Sequence, residues 1–401
     1  MTGPTLPLVY AGPILRRVER SRLCLWLATR ERLAVRLQLR SGDAGAEQAS
    51  LSRLIAPDNP EAQWLEAGER LYFLLLDVAF DEPLPADTWI DYRLSLAPEG
   101  TPVGDKGAWL AVERLAGGLC YEGRDSPGFI LPERVGAVLH GSCRKPHHRG
   151  GDGLIVSDNL LKNLLKQGIS EQSAVADAPP ASAAGSEVED GGAAGPAAGE
   201  TRGSWPSALV LTGDQIYADD VAGPLLRRIH TLIALLGLPD EVFADEGSGN
   251  MAGIGLASAS ELYAHPDSYY RRDRLLPRHS RHRALAQILF RGVEKPVFTS
   301  VNARNHLITL GEVLVMYLLV WSPVLWQVGE LTEPPGLGEE ERALYRRESV
   351  ALAAFAAGLT RVRRLLAHLP VAMIFDDHDV TDDWNLTRGW EEVAYGHPFS
   401  P

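Results

Sequence analysis

Three short apolar runs, Val135 to Leu139, Ala208 to Thr212 and Val371 to Phe375, each break off into a polar cluster: Gly141-Ser142-Cys143, Gly213-Asp214-Gln215-Ile216-Tyr217 and Asp376-Asp377-His378-Asp379. Runs of about five aliphatic residues stopped by a turn read as strands buried on both faces. Helical patterns follow the first two. One has Leu160, Leu161, Leu164 and Leu165 on a single face behind a capping Ser157, with Gly168 placed to end it. The other carries Leu225, Leu226, Ile229, Leu232, Ile233 and Leu236. Strand, loop and helix in repetition predict a parallel or mixed sheet covered by helices. Open sheets of that kind hold ligands at the C-terminal strand ends, where the three clusters stand.

The first part of the chain has a different period. Leu33, Val35, Leu37 and Leu39 alternate with Arg32, Ala34, Arg36, Gln38 and Arg40, as in a strand with one wet face. Similar runs at Arg22 to Thr29, Leu71 to Phe80 and Trp89 to Leu96 are separated by turn-forming clusters. The pattern predicts an antiparallel β-sandwich over residues 1–115 and an α/β domain over residues 135–401, an α+β multidomain chain. Within the second domain, residues 174–203 are almost wholly Ala, Gly, Pro, Ser and acidic residues and read as a disordered insertion. Residues from about 225 to 370 read as a helical insertion that includes Glu339 to His368.

Composition narrows the function. The 401 residues carry 39 Lys+Arg against 52 Asp+Glu, a net charge of −13 that repels phosphate backbones, so specific nucleic-acid binding is not expected. Three cysteines are too few for a disulfide framework and fit a reducing compartment. The most apolar stretch, Leu307 to Trp326, is interrupted by Glu312 and Pro323 and predicts a buried helix rather than a membrane span. Neither a secretory nor a twin-arginine leader is legible, and a cytoplasmic location is the expectation.

The polar clusters carry the chemistry. Five carboxylates fall in the eight residues from Asp376 to Asp383, and a cation or solvent must relieve their repulsion. Asp382 and Asp383 read as helix caps, whereas Asp377 and His378, next to the strand, read as site residues. Asp214 alone is as well explained by capping. Tyr217, three residues on, lets the pair converge on one ion from a first helical turn, and a phenolate oxygen suits ferric iron. Asp219 and Asp220 read as caps of the following helix. Cys143, in a glycine-led loop, is either a thiolate metal ligand or a nucleophile, since Cys143 and Arg149 have the C-x5-R spacing of cysteine-dependent phosphatases. The basic stretch Arg278 to Arg283 reads as solvated surface. Arg304 and Asn305 reach a phosphate only if their helix starts at the site.

In that order, each behind a strand, the three clusters resemble the PhoD-like branch of the calcineurin-like metallophosphoesterases, over roughly residues 135–401. The resemblance implies an N-terminal β-sandwich joined to a metallophosphoesterase α/β sandwich. It implies a metal-dependent phosphoric ester hydrolase, an alkaline phosphatase or phosphodiesterase, acting on a small phosphorylated substrate. By the same carry-over Cys143 and Tyr217 ligate iron (Fe3+), and Asp214 bridges to calcium or another divalent metal. Asp377 ligates that second metal, and His378 contacts the phosphate or protonates the leaving group. Family members carry further ligands beyond the third motif, whereas here 22 residues follow Asp379. The fold is therefore expected to be C-terminally incomplete, with a partner or downstream segment completing the site. Two other functions stay open on the residues: a cysteine-dependent phosphatase using Cys143 and Arg149, and a catalytically silent phosphate-binding or interaction module.

Overall fold

The computed structural model describes residues 5–41, 50–105, 107–115, 117–176, 205–243, 255–276, 303–382, 384–385, 388 and 391. They form a mixed α+β chain with two antiparallel sheets and one parallel sheet. The first antiparallel sheet has the order β1-β2-β6-β5, from β1 (Val9–Glu19), β2 (Arg22–Thr29), β5 (Ala62–Gly68) and β6 (Leu71–Ala79). The second has the order β4-β3-β7-β8, from β3 (Ala34–Ser41), β4 (Ser50–Ile55), β7 (Trp89–Ala97) and β8 (Leu110–Ala111). A short helix α1 (Val112–Leu115) follows, and β9 (Gly128–Ile130) then pairs with β7, so the second sheet takes in residues beyond 115.

The alternation in β3 puts Val35, Leu37 and Leu39 inside and Gln38 and Arg40 outside. Leu25, Leu27, Leu74 and Leu76 from one sheet meet Val35, Leu37, Leu94 and Leu96 from the other in a single buried cluster. Each such side chain contributes about 1.5–3 kcal/mol by leaving water.

Further helices are α2 (Gly153–Ala176), α3 (Gly223–Leu236), α4 (Ala259–Ala264), α5 (Leu310–Trp321) and α6 (Glu339–His368). The predicted apolar face of α3 is buried at all six positions, and Gly237, at φ 66°, ends the helix in the left-handed conformation. α6 has the bounds its sequence predicts, and its start is fixed by the Gly338 amide donating to Glu341 Oε2 at 2.7 Å. It lies against the outer face of the first sheet, where Tyr10, Ile14 and Leu71 join the helical core. Tyr92 OH donates to the Ala367 carbonyl at 2.7 Å, and the buried Arg363 Nε donates to the Gly12 carbonyl at 2.7 Å.

α2 departs from expectation at both ends. Its first turn is capped by Asp152, whose Oδ1 accepts from the Leu154 amide at 3.0 Å, while Ser157 lies inside the helix with its hydroxyl turned back on the Gly153 carbonyl. The helix also runs past Gly168 to Ala176, which takes in the first residues of the expected disordered insertion. A glycine in a helix interior costs only about 1 kcal/mol, too little to stop a helix already propagating. The rest of that insertion, 177–203, lies outside the described residues, as does the basic stretch 278–283. The described part of the helical insertion consists of α3 to α6 and short 3-10 turns. No helix among the described residues is long and apolar enough to cross a membrane.

The three apolar runs pair as a parallel sheet in the order β10-β11-β12, from β10 (Val138–Gly141), β11 (Ala208–Leu211) and β12 (Val371–Met373). Burial on both faces does not hold. In register, Leu139, Leu209 and Val371 share the face packed on the helices, while Val138, Ala208, Val210 and Ala372 share a face that is exposed or half-buried. The first and third runs also leave the sheet early or late: Val135 is exposed, and Ile374 and Phe375 are 61% and 54% exposed. The helices cover one side of this short sheet, so apolar sequence alone overstated its burial.

Candidate functional site

Parallel pairing brings the three strand-end loops to one edge. The Cys143 amide donates to the Gly213 carbonyl at 3.3 Å and the Arg144 amide to the Asp214 carbonyl at 2.8 Å. The Ala218 amide donates to the His378 carbonyl at 2.8 Å, which joins the second loop to the third. Gly213 sits at φ 124°, and a Cβ there would stand 2.2 Å from the Asp376 Cβ. Any other residue would force those loops apart. Cys143 at φ 60° and Asp214 at φ 53° also adopt left-handed backbone without being glycine. Such residues cost about 1 kcal/mol or more each and collect where a side chain must be aimed.

Asp214, Asp377 and His378 each offer one ligand atom, and these atoms lie within 4.8 Å of one another. The Cys143 thiol donates to Asp214 Oδ2 at 3.2 Å and accepts from the Ser142 hydroxyl at 3.3 Å. Asp214 is 7% exposed, and its Oδ1 is buried without a hydrogen-bond partner. Burial raises the pKa of its carboxyl, with Asp377 and Asp379 adding to the rise against the lowering by Cys143 and His378. A buried carboxylate oxygen with no donor fits a cation better than it fits a cap. Tyr217 stacks on the His378 ring at 4.4 Å between centroids. Burial, with Cys143 and Asp214 beside it, pushes its phenol well above the ordinary tyrosine range. The structure thus gathers Cys143, Asp214, Tyr217, Asp377 and His378 at one edge. Arg149 lies on the exposed surface of the Cys143 loop.

Two expectations about the second loop fail. Asp214 to Tyr217 form no helical turn, and Asp219 and Asp220 do not cap α3, whose N-cap is Ala222 with no side-chain bond. Asp219 instead holds His378, its Oδ2 lying 2.9 Å from Nδ1, which leaves Nε2 outside that bond. Burial alone would lower the pKa of His378, but the Asp219 carboxylate, with Asp377 and Asp214 further off, raises it overall. Asp220 pairs with Lys145 and lies 3.6 Å from His147. Burial would raise the Asp220 carboxyl, yet His147 and Lys145 bring it down to about 2.

Arg144 is a residue that sequence reasoning passed over. Its guanidinium is buried against Asp152 at 2.6 Å and over the Trp321 ring at 4.7 Å, which anchors the loop that carries Cys143. Asn305 is buried too, bonded to the Tyr270 amide and the Val221 carbonyl, and Arg304 lines a surface cavity with Arg271, Arg274 and Arg347. Asn305 is therefore spoken for by the core. Asp383 lies outside the described residues.

No protein-family model matches the chain, and no curated protein matches it. The site must therefore be read from its own chemistry. One check is the cysteines: Cys143 is exposed, Cys120 half-buried and Cys24 buried, and burial pushes the thiols of Cys24 and Cys120 up to about 11. Iodoacetamide is expected to label Cys143 first, as read by peptide mass, and bound cation is expected to slow that labelling. Equal labelling of Cys24 and Cys143 would contradict the exposed placement of the loop.

Proposed function

We propose that the chain is a metal-dependent phosphoric ester hydrolase acting on small phosphorylated substrates. The observation that carries this reading is the convergence of Asp214, Asp377 and His378 from two strand ends, with the Cys143 sulfur beside Asp214. Carboxylate, thiolate and phenolate oxygen together suit iron with a second, harder cation such as calcium. Cys143 and Tyr217 would hold the iron, Asp214 would bridge, and Asp377 would hold the second ion. When bound, two such cations neutralise phosphoryl oxygens and lower the pKa of water.

The chain's own groups do the rest. Asp219 keeps the proton of His378 on Nδ1 and favours the imidazolium, so Nε2 can donate to the departing oxygen. In the reaction a water oxygen bonds to phosphorus, the ester P–O bond breaks, and the leaving alkoxide takes the proton from Nε2. The αL conformations of Cys143 and Asp214 aim sulfur and carboxylate at one point before substrate arrives, so no reorganisation is needed then.

The test is turnover of p-nitrophenyl phosphate by the purified protein with iron and calcium, alongside elemental analysis. Activity that EDTA abolishes and metal restores is expected. Activity that survives EDTA but dies on alkylation of Cys143 would transfer the reaction to a cysteine nucleophile, and phosphate binding without turnover would make the site a silent binding module.

A further inference from the structure

The chain from residue 303 to 321, which ends in α5, touches all three strand-end loops. To the first it offers the Val320 carbonyl, which accepts from Arg144 Nη2 at 3.2 Å, and the Trp321 ring under the same guanidinium. To the second it offers the Leu307 amide, donating to the Ala218 carbonyl at 2.7 Å, and Asn305 Nδ2, donating to the Val221 carbonyl at 2.8 Å. At the third, Tyr317 OH donates to Asp379 Oδ1 at 2.9 Å, and His306 Nε2 lies 3.0 Å from Thr381 Oγ1.

Asp379 is the point where this support meets the ligand cluster. It is buried, and its Oδ1 also accepts from the Ile216 amide at 3.0 Å while its Oδ2 accepts from the Asp376 amide at 3.0 Å. One carboxylate thus joins the backbone between Asp214 and Tyr217 to the backbone just ahead of Asp377 and His378. Its orientation sets the spacing of the two loops, and Tyr317 reaches it from a helix outside both.

We propose that Tyr317 is a positioning residue, acting through Asp379 to hold the second and third loops in register. The catalytic consequence rests on the hydrolase reading, while the clamp itself does not. Without the Tyr317 donor the carboxylate loses one of the three bonds named above, and the two amide bonds that remain hold its orientation less firmly. A displacement of about 1 Å at a catalytic group can cost on the order of 100-fold in rate.

The experiment compares Tyr317→Phe with Tyr263→Phe in the full chain. The second variant removes a half-buried tyrosine hydroxyl that meets Thr309 at the other end of α5 and no strand-end loop. In Tyr317→Phe, hydrogen exchange at the Ile216 and Asp376 amides is expected to rise up to about tenfold, the equivalent of one lost hydrogen bond. Turnover of p-nitrophenyl phosphate is expected to fall roughly 10- to 100-fold, with KM changed by no more than about twofold. Tyr263→Phe is expected to do neither. Unchanged exchange at both amides in Tyr317→Phe, unchanged kcat, or the same kcat loss in Tyr263→Phe would overturn the proposal. If the wild-type chain has no turnover, the hydrolase reading falls, and the exchange comparison alone decides the clamp.

Discussion

Asp214→Asn is expected to lower turnover of phosphate esters by roughly 1000-fold or more, the equivalent of the several kcal/mol that a metal contributes to the transition state. The residue lies where its charge is hardest to hold. Burial raises the pKa of its carboxyl, and Oδ1 faces no donor. Removing the charge relieves that penalty, so without added metal the variant is expected to unfold at the same urea concentration as the wild type or a higher one. Loss of function with no loss of stability is the signature of a group placed for a ligand rather than for the fold. Kinetics and urea unfolding in EDTA check both halves. Near-normal turnover, or a variant that unfolds far more easily, would return Asp214 to a structural role.

Glu312→Ala is expected to cost about 3–5 kcal/mol of stability, because it strands a buried guanidinium. A typical domain has only about 5–15 kcal/mol in all, so the urea midpoint should drop sharply. Glu312 is fully buried, with Arg272 Nη2 at 2.6 Å and His230 Nε2 at 2.7 Å on Oε1 and the Ile308 and Thr309 amides on Oε2. Arg272 is equally buried, and its Nη1 donates to the His306 carbonyl. Losing the carboxylate therefore unsettles both the start of α5 and the segment that supports the strand-end loops.

The same network gives the protein an acid limit. Burial would raise the Glu312 carboxyl, but Arg272 and His230 hold it far below the ordinary range. Burial pushes His230 and His306 down from the ordinary 6.5 to about 4. The surroundings fit neutral rings: His230 Nε2 lies 3.0 Å from the Arg272 guanidinium, which opposes a second positive charge, and His306 donates from Nδ1 to the Leu307 carbonyl with Nε2 left to accept from Thr381 Oγ1. The folded chain thus binds these protons less tightly than the unfolded chain. Their contribution is complete above about pH 6.5 and lost as the pH falls toward 4, where unfolding takes up protons. A urea midpoint that stays flat across that window would contradict neutral, buried histidines.

Periodicity made β2, β3, β6 and β7 legible, because alternation maps directly onto inside and outside, while β1, β4, β5, β8 and β9 did not stand out as strands. The apolar face of α3 and the bounds of α6 were legible for the same reason at a period of 3.6. What failed was burial in the parallel sheet: an apolar run such as Ile374-Phe375 cannot say how many faces the rest of the chain will cover. The motif residues next to the strands converge as their order implied. Their supporters did not show themselves, since Asp219, Asp379, Arg144 and Tyr317 gain meaning only from contacts far along the chain. Asp219 looked like a helix cap by spacing, and the pairing of β11 with β12 is what puts His378 beside it.

The half-covered parallel sheet sets the ligand cluster on a dielectric boundary. Asp214, Asp219 and Asp379 are buried, Asp377 and His378 lie half in, and Asp376 is exposed. Mobile ions reach only the outer members. If the cluster takes a cation as proposed, raising the ionic strength is expected to weaken the pull of Asp376 on it, while the field set by the inner carboxylates stays as it was, so the rate of arrival would fall more than the strength of holding.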